Sequence, residues 1–160
     1  RLEDGEVCIR SDLLMDGYFD QPDATAEALR DGWYHTGDLG SLDDEGYLSI
    51  VGRARDVIRT GGETVAPAEV EAALATHPGV CEVAVVGVPD QQWGEIVCAV
   101  VVPEPSAGDT LDLDRLRAHS DAALAGFKQP RRLEIVDELP RTPATGQVQR
   151  TLLVERIVAG

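Results

Sequence analysis

The sequence lacks the features that would place it in a membrane, outside the cell or on nucleic acid. No apolar run approaches the roughly 20 residues that a bilayer-spanning helix needs, and no charged-then-apolar leader opens the chain. The net charge is −15, whereas binding to nucleic-acid phosphates requires clustered cations. We therefore expect a cytoplasmic protein with no membrane span and no nucleic-acid partner.

The cysteines and histidines are few and scattered. Cys8, Cys81 and Cys98 are an odd number without CxxC spacing, and the last two lie in apolar runs. The three histidines are far apart along the chain, which disfavours a structural zinc. We expect buried free thiols, as in a reducing compartment, and no metal ligands.

Lysine is almost absent, since Lys128 is the only one. Positive charge gathers near the end of the chain: residues 127–156 contain six cations and four acids, and the rest carries a charge of about −17. An anionic ligand should therefore prefer this C-terminal segment. The first residue is Arg1 and not Met, so we expect a piece of a longer protein.

Alternation of apolar residues and turn residues predicts short elements in the first half. The expected order is a strand at 6–10, a helix at 22–31, a loop at 32–39 and a hairpin with strands at 39–42 and 47–51. The charged stretch 52–56 is the expected domain boundary. Residues 1–52 then form a β-rich piece, and residues 53–160 form a second domain.

The second half predicts a complete small domain. The expected order is a strand at 57–59, a helix from Pro67, apolar strands at 80–88 and 96–102, a helix at 111–124, a strand at 133–136 and a helix at 151–158. The order β-α-β-β-α-β is typical of an α+β fold with one small mixed or antiparallel sheet flanked by helices.

Four stretches contain residues suited to chemistry, and each also has a purely structural explanation. In the first, 34–39, Asp38 follows a glycine and can offer its carboxylate to ribose hydroxyls, or it can merely stabilise a turn. In the second, 52–63, Arg53 and Arg55 are two apart on an extended segment, and paired glycines allow close backbone approach. The alternative there is a surface arginine pair beside a glycine turn.

The third stretch combines Trp93-Gly94 with residues 127–131, where aromatic rings stand beside cations. Such a set can stack on a base and hold phosphate, although an aromatic anchor beside a basic turn has the same composition. The fourth, Leu139–Arg150, is an irregular loop whose composition is unlike that of a linker. Taken alone, it indicates only a functional loop.

The order and spacing of six motifs within these stretches closely resemble the C-terminal part of the acyl-adenylate-forming enzymes: TGDL, GRxxD, GGExxxPxEVE, VVGVPDxxWGE, FKxP and LPRT. That superfamily contains AMP-forming acyl-CoA synthetases, peptide-synthetase adenylation domains and luciferases. The resemblance covers nearly the whole chain. It is strongest to acyl-CoA synthetases acting on fatty or aromatic acids, on the evidence of residues 59–65 and 93–95.

The resemblance implies two half-reactions. A carboxylate attacks ATP to give acyl-AMP and pyrophosphate; the C-terminal domain then rotates, and the thiol of CoA attacks the acyl-AMP. By match, Asp38 and Arg53 bind the ribose side of ATP or AMP, and Arg55 takes the hinge position, where the family commonly has Asp or Lys. The residues that match CoA-binding positions are Gly61, Gly62 and Glu63 for pantetheine and Trp93, Phe127, Lys128, Gln129 and Arg131 for the nucleotide end.

The sequence departs from the family at Gln147. The family usually has PRTxxGK, and its lysine contacts the acyl carboxylate and phosphate; here the loop is one residue longer and Gln147 takes the matching place. The phosphate loop, most of the acyl pocket and the Mg²⁺ site lie upstream in the family. We therefore expect residues 1–52 to be the end of a larger N-terminal domain and this piece not to adenylate alone. Two alternatives stay open: an enzyme that loads a carrier protein, and a degenerate homologue that binds acyl groups or nucleotide without catalysis.

Overall fold

The computed structural model describes residues 1–105 and 111–160 and divides into two units, Arg1–Arg55 and Asp56–Gly160. The division falls inside the stretch 52–56 that the sequence marks as a boundary. Within the described residues, no helix has the length and apolarity that crossing a membrane would require.

The first unit is an antiparallel sheet with one short helix. Its elements are β1 (Leu2–Glu3), β2 (Glu6–Ile9), α1 (Pro22–Ala28), β3 (Leu29–Arg30), β4 (Trp33–Leu42) and β5 (Leu48–Arg53). The strand order is β1-β2-β4-β3, and β5 also pairs with β4.

Two expectations for this unit are wrong. Residues 33–42 form the long strand β4 and not a loop, because β2, β3 and β5 all pair with it. The expected helix 22–31 ends at Ala28, because Asp31 and Gly32, with φ of 53° and 77°, turn the chain into the β3–β4 hairpin. A two-residue Asp-Gly turn of this kind favours hairpins.

The second unit has a mixed sheet with helices on both faces. Its elements are β6 (Ile58–Thr60), β7 (Glu63–Val65), α2 (Pro67–Leu74), β8 (Val80–Asp90), β9 (Gly94–Pro103), α3 (Leu113–Ser120), β10 (Arg132–Ile135) and α4 (Arg150–Ala159). The order is β10-β9-β6-β7, and β8 also pairs with β9; β10 runs parallel to β9, and the other pairs are antiparallel. The predicted α+β class is confirmed.

Alternating residues of β8 and β9 build two cores, one on each face of the sheet. Val85, Val97 and Ala99 pack in one cluster with residues of α2 and α3, including Leu74 and Leu116. The neighbouring residues Ala84, Val86 and Val100 pack in a second cluster with Leu139 and with Leu153 of α4. Because successive strand side chains point to opposite faces, α4 lies across the sheet from α2 and α3.

Two smaller elements differ from the sequence expectation. Strand β7 was not expected; it pairs with β6 across Gly61-Gly62, whose φ angles of 59° and 88° form a tight turn. The helix expected over 111–124 is α3, which is shorter. The carboxylate of Asp112 caps its first turn by accepting the Arg115 N–H at 2.8 Å, and after Ser120 the chain turns and buries Leu124.

The thiols and imidazoles also differ from expectation. Cys8 and Cys98 are buried free thiols, and burial raises the pKa of Cys98 to about 12. Cys81 is exposed, so its expected burial is wrong; it points outward from β8. His77 and His119, far apart in sequence, lie with ring centroids 5.0 Å apart.

Candidate functional site

Asp38 and Arg53 are brought together by strand pairing. They are direct cross-strand partners on β4 and β5, and Arg53 Nε lies 3.0 Å from Asp38 Oδ1. Their side chains are 31% and 44% exposed, so the ion pair adds little stability. It does hold an ionised carboxylate at the surface, where its remaining lone pairs can accept hydrogen bonds from hydroxyl groups.

The Glu6 carboxylate holds the backbone next to Asp38, because it lies between the imidazole ring of His35 and the N–H of Gly37. Oε1 of Glu6 accepts the Gly37 N–H at 2.8 Å, and Oε2 lies 2.9 Å from Nδ1 of the buried His35. The hydrogen bond from His35 holds the pKa of Glu6 below its usual value. None of the six motifs contains Glu6, so this role is visible only in the structure.

A cavity of about 620 Å³ opens beside this pair. Its wall includes Tyr18, Arg30, Thr36, Arg53 and Arg55. Asp38 is not part of that wall, so the cavity adjoins the carboxylate without containing it. The cavity can take part of a ligand whose hydroxyl groups reach Asp38.

One group in this unit has the atoms of a metal site but is already hydrogen-bonded. Ligand atoms of Glu3, Cys8 and His35 all lie within 4.8 Å of one another. However, Nδ1 of His35 is taken by Glu6 at 2.9 Å. The pKa of the Cys8 thiol is raised by burial and by the charges of Glu6 and Glu3, which disfavours the thiolate that binds metal. We therefore describe the group as a hydrogen-bonded network.

The paired glycines lie next to Trp93. The Gly61 N–H donates to the Trp93 carbonyl at 2.9 Å, and a Cβ on Gly61 would come within 2.7 Å of the Trp93 ring. Only glycine fits at that distance and with that positive φ. Glu63 follows the turn at the surface, so the structure gathers Gly61, Gly62, Glu63 and Trp93 at one place.

The stretch 127–131 is divided between surface and core. The Arg131 guanidinium lies 4.0 Å from the Trp93 ring centroid, a cation–π contact. Lys128 Nζ contacts both carboxylate oxygens of Glu69, at 2.6 and 2.7 Å. Arg131 thus joins the glycine turn, whereas Lys128 is tied to the first turn of α2.

Phe127 and Gln129 face inward. Phe127 packs against the core cluster that contains Leu74 and Leu116. Gln129 is 4% exposed, and its Oε1 accepts a hydrogen bond from Ser120 Oγ at 2.8 Å. The structure thus encloses the Gln129 side chain in packing, and its expected contact with a ligand stays a prediction.

The loop that carries Gln147 is closed by backbone hydrogen bonds. Arg141 and Val148 form a β-bridge, and the Thr142 N–H donates to the Gln147 carbonyl at 2.8 Å. Arg141 also donates to the Gly146 carbonyl at 2.9 Å. Residues 143–146 thus form a tight turn, and Gln147 is exposed.

Arg55 lies in the short 3-10 turn Ala54–Asp56, where the chain passes from one unit to the other. It does not continue the strand that ends at Arg53, so the expectation of two arginines on one extended segment is wrong.

Residues 69–145 match the model of the AMP-binding enzyme C-terminal domain. Over 156 residues, the chain is 42% identical to the long-chain-fatty-acid–CoA ligase FadD13 of Mycobacterium tuberculosis, covering 98% of this chain and 30% of the relative. It is 46% identical to a feruloyl-CoA synthase of Amycolatopsis sp, covering 92% of this chain and 30% of the relative. The chain belongs to the acyl-adenylate-forming enzymes. The structural likeness agrees: the amide bond synthetase McbA from Marinactinospora thermotolerans superposes with a TM-score of 0.84 at 40% identity, over 95% of this chain and 31% of that one.

Membership in the acyl-adenylate-forming enzymes confirms the resemblance derived from the six motifs. The chain spans about 30% of the length of the curated relatives that it matches. The acids in the relatives' names differ, from a long-chain fatty acid to ferulate, so membership in the family does not identify an acid substrate.

Proposed function

We propose that residues 1–160 are the C-terminal portion of an AMP-forming acyl-CoA synthetase, which converts a carboxylic acid, ATP and CoA into acyl-CoA, AMP and pyrophosphate through acyl-AMP. One observation carries the proposal. The chain changes units at Arg55, with the Asp38–Arg53 pair on one side and the glycine turn with Trp93 and Arg131 on the other. A two-step enzyme needs nucleotide and CoA groups on bodies that can turn relative to each other.

In this proposal, residues 1–52 complete a larger N-terminal domain, which is the main partner of the chain. The first unit leaves many large apolar side chains exposed, as a surface covered by another part of the protein would: Ile9, Leu13, Met15, Tyr18, Phe19, Leu42, Tyr47, Leu48, Ile50 and Val51. The share of the relatives that the chain spans supports the same assignment.

Asp38 and Arg53 would hold the ribose of ATP or AMP. The carboxylate of Asp38 would offer acceptors to the two ribose hydroxyls, and its ion pair with Arg53 would orient it. The Mg²⁺ that accompanies ATP would bind in the upstream domain, outside this chain. Free thiols, ATP and CoA are all typical of the cytoplasm, where we place the parent enzyme.

CoA would approach the second unit. Gly61, Gly62 and Glu63 would line the passage for pantetheine, since a backbone without side chains lets a narrow chain come close. Arg131 and Lys128 would face the phosphates of the nucleotide end, with Trp93 beside them. Because Glu69 already neutralises Lys128, these phosphates would compete with that carboxylate.

Arg55 would be the hinge between the two half-reactions. It lies in the turn at the change of units, where a few backbone dihedrals can absorb a rotation. In the full-length parent, Arg55→Pro should trap one pose and uncouple acyl-AMP formation from thioester formation. If both steps keep their rates, Arg55 is not the hinge.

Gln147 favours a second candidate, a homologue that binds acyl groups or nucleotide without efficient adenylation. A neutral amide cannot offset the negative charge that develops at the α-phosphate. A third candidate keeps adenylation but transfers the acyl group to a carrier protein; McbA, an amide bond synthetase, shows that this fold also occurs in an enzyme named for another product.

The full-length parent separates these candidates. Pyrophosphate release is measured with a panel of fatty and aromatic acids, ATP and Mg²⁺, and acyl transfer is then measured with CoA and with a phosphopantetheinylated carrier protein. Pyrophosphate release followed by acyl-CoA formation supports the synthetase. Transfer only to the carrier supports the loading enzyme, and nucleotide binding without pyrophosphate release supports the degenerate homologue.

A further inference from the structure

The outer edge of β8 is covered by two side chains. Among the described residues, β8 pairs with β9 and with no other strand. At Val85, the backbone N–H donates to Glu71 Oε1 at 2.8 Å, and the carbonyl accepts from Arg150 Nε at 3.4 Å. The two side chains thus take the hydrogen-bonding role that a neighbouring strand would have.

These side chains come from opposite faces of the sheet. Glu71 belongs to α2 and Arg150 is the first residue of α4, and the two helices pack on different cores. Arg150 Nη2 lies 2.6 Å from Glu71 Oε1, so the pair closes over the sheet edge. Both side chains are largely shielded from solvent, being 29% and 20% exposed.

The same guanidinium also reaches the beginning of the unit. Arg150 Nη1 lies 3.6 Å from Asp56 Oδ2, and Asp56 directly follows Arg55. We call Asp56, Glu71, Val85 and Arg150 the edge clasp. Through it, one side chain connects the start of the unit, helix α2, strand β8 and helix α4.

The edge clasp fixes one end of the loop that carries Gln147. Arg150 follows Gln149, whose N–H donates to the Pro140 carbonyl at 2.8 Å. The other end is fixed to the same strand, because Arg141 forms an ion pair with Glu82 of β8. The loop is therefore held to β8 at both ends, and its Arg150 end also contacts Asp56, the residue next to the change of units.

We propose that Arg150 is a positioning residue: it joins the Gln147 loop to Asp56, so that the loop follows any rotation at Arg55 as a rigid part of the unit. This inference rests on the proposed function. Three separate nitrogens of the forked guanidinium reach Asp56, Glu71 and the Val85 carbonyl. The three N–H donors of a lysine ammonium diverge from one atom and do not span these positions in the same way. A shift of about 1 Å in a reacting group can cost roughly 10²-fold in rate.

The test introduces Arg150→Lys into the full-length parent that already carries Gln147→Lys, because only a charged donor on the loop has a large contribution to lose. Both half-reactions are measured separately. Acyl-AMP formation, followed by pyrophosphate release, should fall by about 10- to 100-fold with little change in KM for ATP. Thioester formation from supplied acyl-AMP should change less than about twofold, because the glycine turn is held by β6 and β7 and not by Arg150. Arg115→Lys is the matched control, since Arg115 pairs with Asp112 on the exposed surface of α3.

Each outcome decides between a positioning role and a structural one. Parallel losses in both steps would show that Arg150 serves stability. Unchanged rates of both steps would show that the edge clasp does not control the loop. Either result overturns this inference and leaves the proposed function standing. A wild-type parent that forms neither acyl-AMP nor acyl-CoA would overturn the proposed function itself.

A second variant covers the case in which Arg150→Lys fails to fold. Glu71→Gln keeps the acceptor for the Val85 N–H and removes the charge that binds Arg150. It should lower acyl-AMP formation several-fold, again with the thioester step spared, and hydrogen exchange at the Val85 amide should stay slow. Loss of both steps in this folded variant would again overturn the inference.

Discussion

Residues 1–55 bury two apolar side chains, Val7 and Cys8, whereas residues 56–160 bury eighteen among the described positions. Exposed side chains have the opposite distribution: among the described residues, ten of the twelve large exposed apolar side chains belong to the first unit. The second unit therefore carries its own core on both faces of its sheet, and the first has a sheet without enough chain to cover it. Apolar burial is the main stabilising term in folding, so the two units should differ in stability as they differ in burial.

The largest expected effect is the loss of the first unit when it stands alone. Expressed separately, residues 56–160 should unfold cooperatively, and residues 1–55 should not hold a stable fold. Within the intact chain, amide hydrogen exchange should be much slower in β8 and β9 than in β4 and β5. Equal protection in both units would contradict the comparison.

A pair of leucine substitutions tests the difference in apolar burial between the two units. Leu74 is fully buried in the second unit, and Leu48 is 47% exposed in the first. Leu74→Ala should lower the free energy of unfolding by about 2–5 kcal/mol, because it leaves a cavity. Leu48→Ala should change it by about 0.5 kcal/mol or less. Urea denaturation of both variants measures the difference, and similar losses would mean that the first unit has a core after all.

Within the second unit, the loop that carries Gln147 should limit one half-reaction and not the other. Gln147→Lys in the full-length parent should speed acyl-AMP formation by about 10²–10³-fold, since a charged donor opposite a developing phosphate charge is worth that much. Thioester formation from supplied acyl-AMP should hardly change. Single-turnover measurements separate the steps. An unchanged first step would mean that the longer turn at residues 143–146 moves Gln147 away from the lysine's place.

The smallest expected effect is a pH dependence confined to the second unit. Burial, and then the charges of His119 and Arg115, lower the pKa of His77 below its ordinary value of 6.5. The unfolded chain therefore takes up the proton first, and stability that is complete above about pH 6.5 is lost as the pH falls below it. His77→Gln should make the midpoint of urea denaturation less dependent on pH between pH 7.5 and 5.5. A variant as pH-sensitive as the wild type would assign the effect to another group.

The sequence predicted most of the second unit because its strands are continuous apolar runs. The apolar runs 80–88 and 96–102 are stable only as buried strands, and the observed strands are longer than these runs by only a few residues. In the first unit the apolar signal is weak, and β4 contains two glycines, so a loop was expected where long-range pairing makes a strand. Pairing between distant segments can override local preference.

The candidate site was predictable as a set of residues but not as a set of contacts. The motifs named Asp38, Arg53, Gly61 and Trp93. The structure places Arg53 beside Asp38, as expected, and it also joins Gly61 to Trp93, which the motifs did not indicate. The motifs did not indicate that Gln129 is enclosed beside Ser120, or that Lys128 forms an ion pair with Glu69. Side-chain direction at those positions depends on packing between elements that are far apart in sequence.

The burial of two thiols leaves one accessible cysteine in the second unit. Among the three cysteines of this chain, only Cys81 is exposed, and burial raises the pKa values of both Cys8 and Cys98. Thiol reagents attack the thiolate, so a maleimide dye should react at Cys81 far faster than at the other two. Cys81 lies on β8, the strand that the edge clasp fixes to helices α2 and α4. If the second unit rotates as proposed, a fluorophore at Cys81 would report that rotation from a cysteine that this chain already contains.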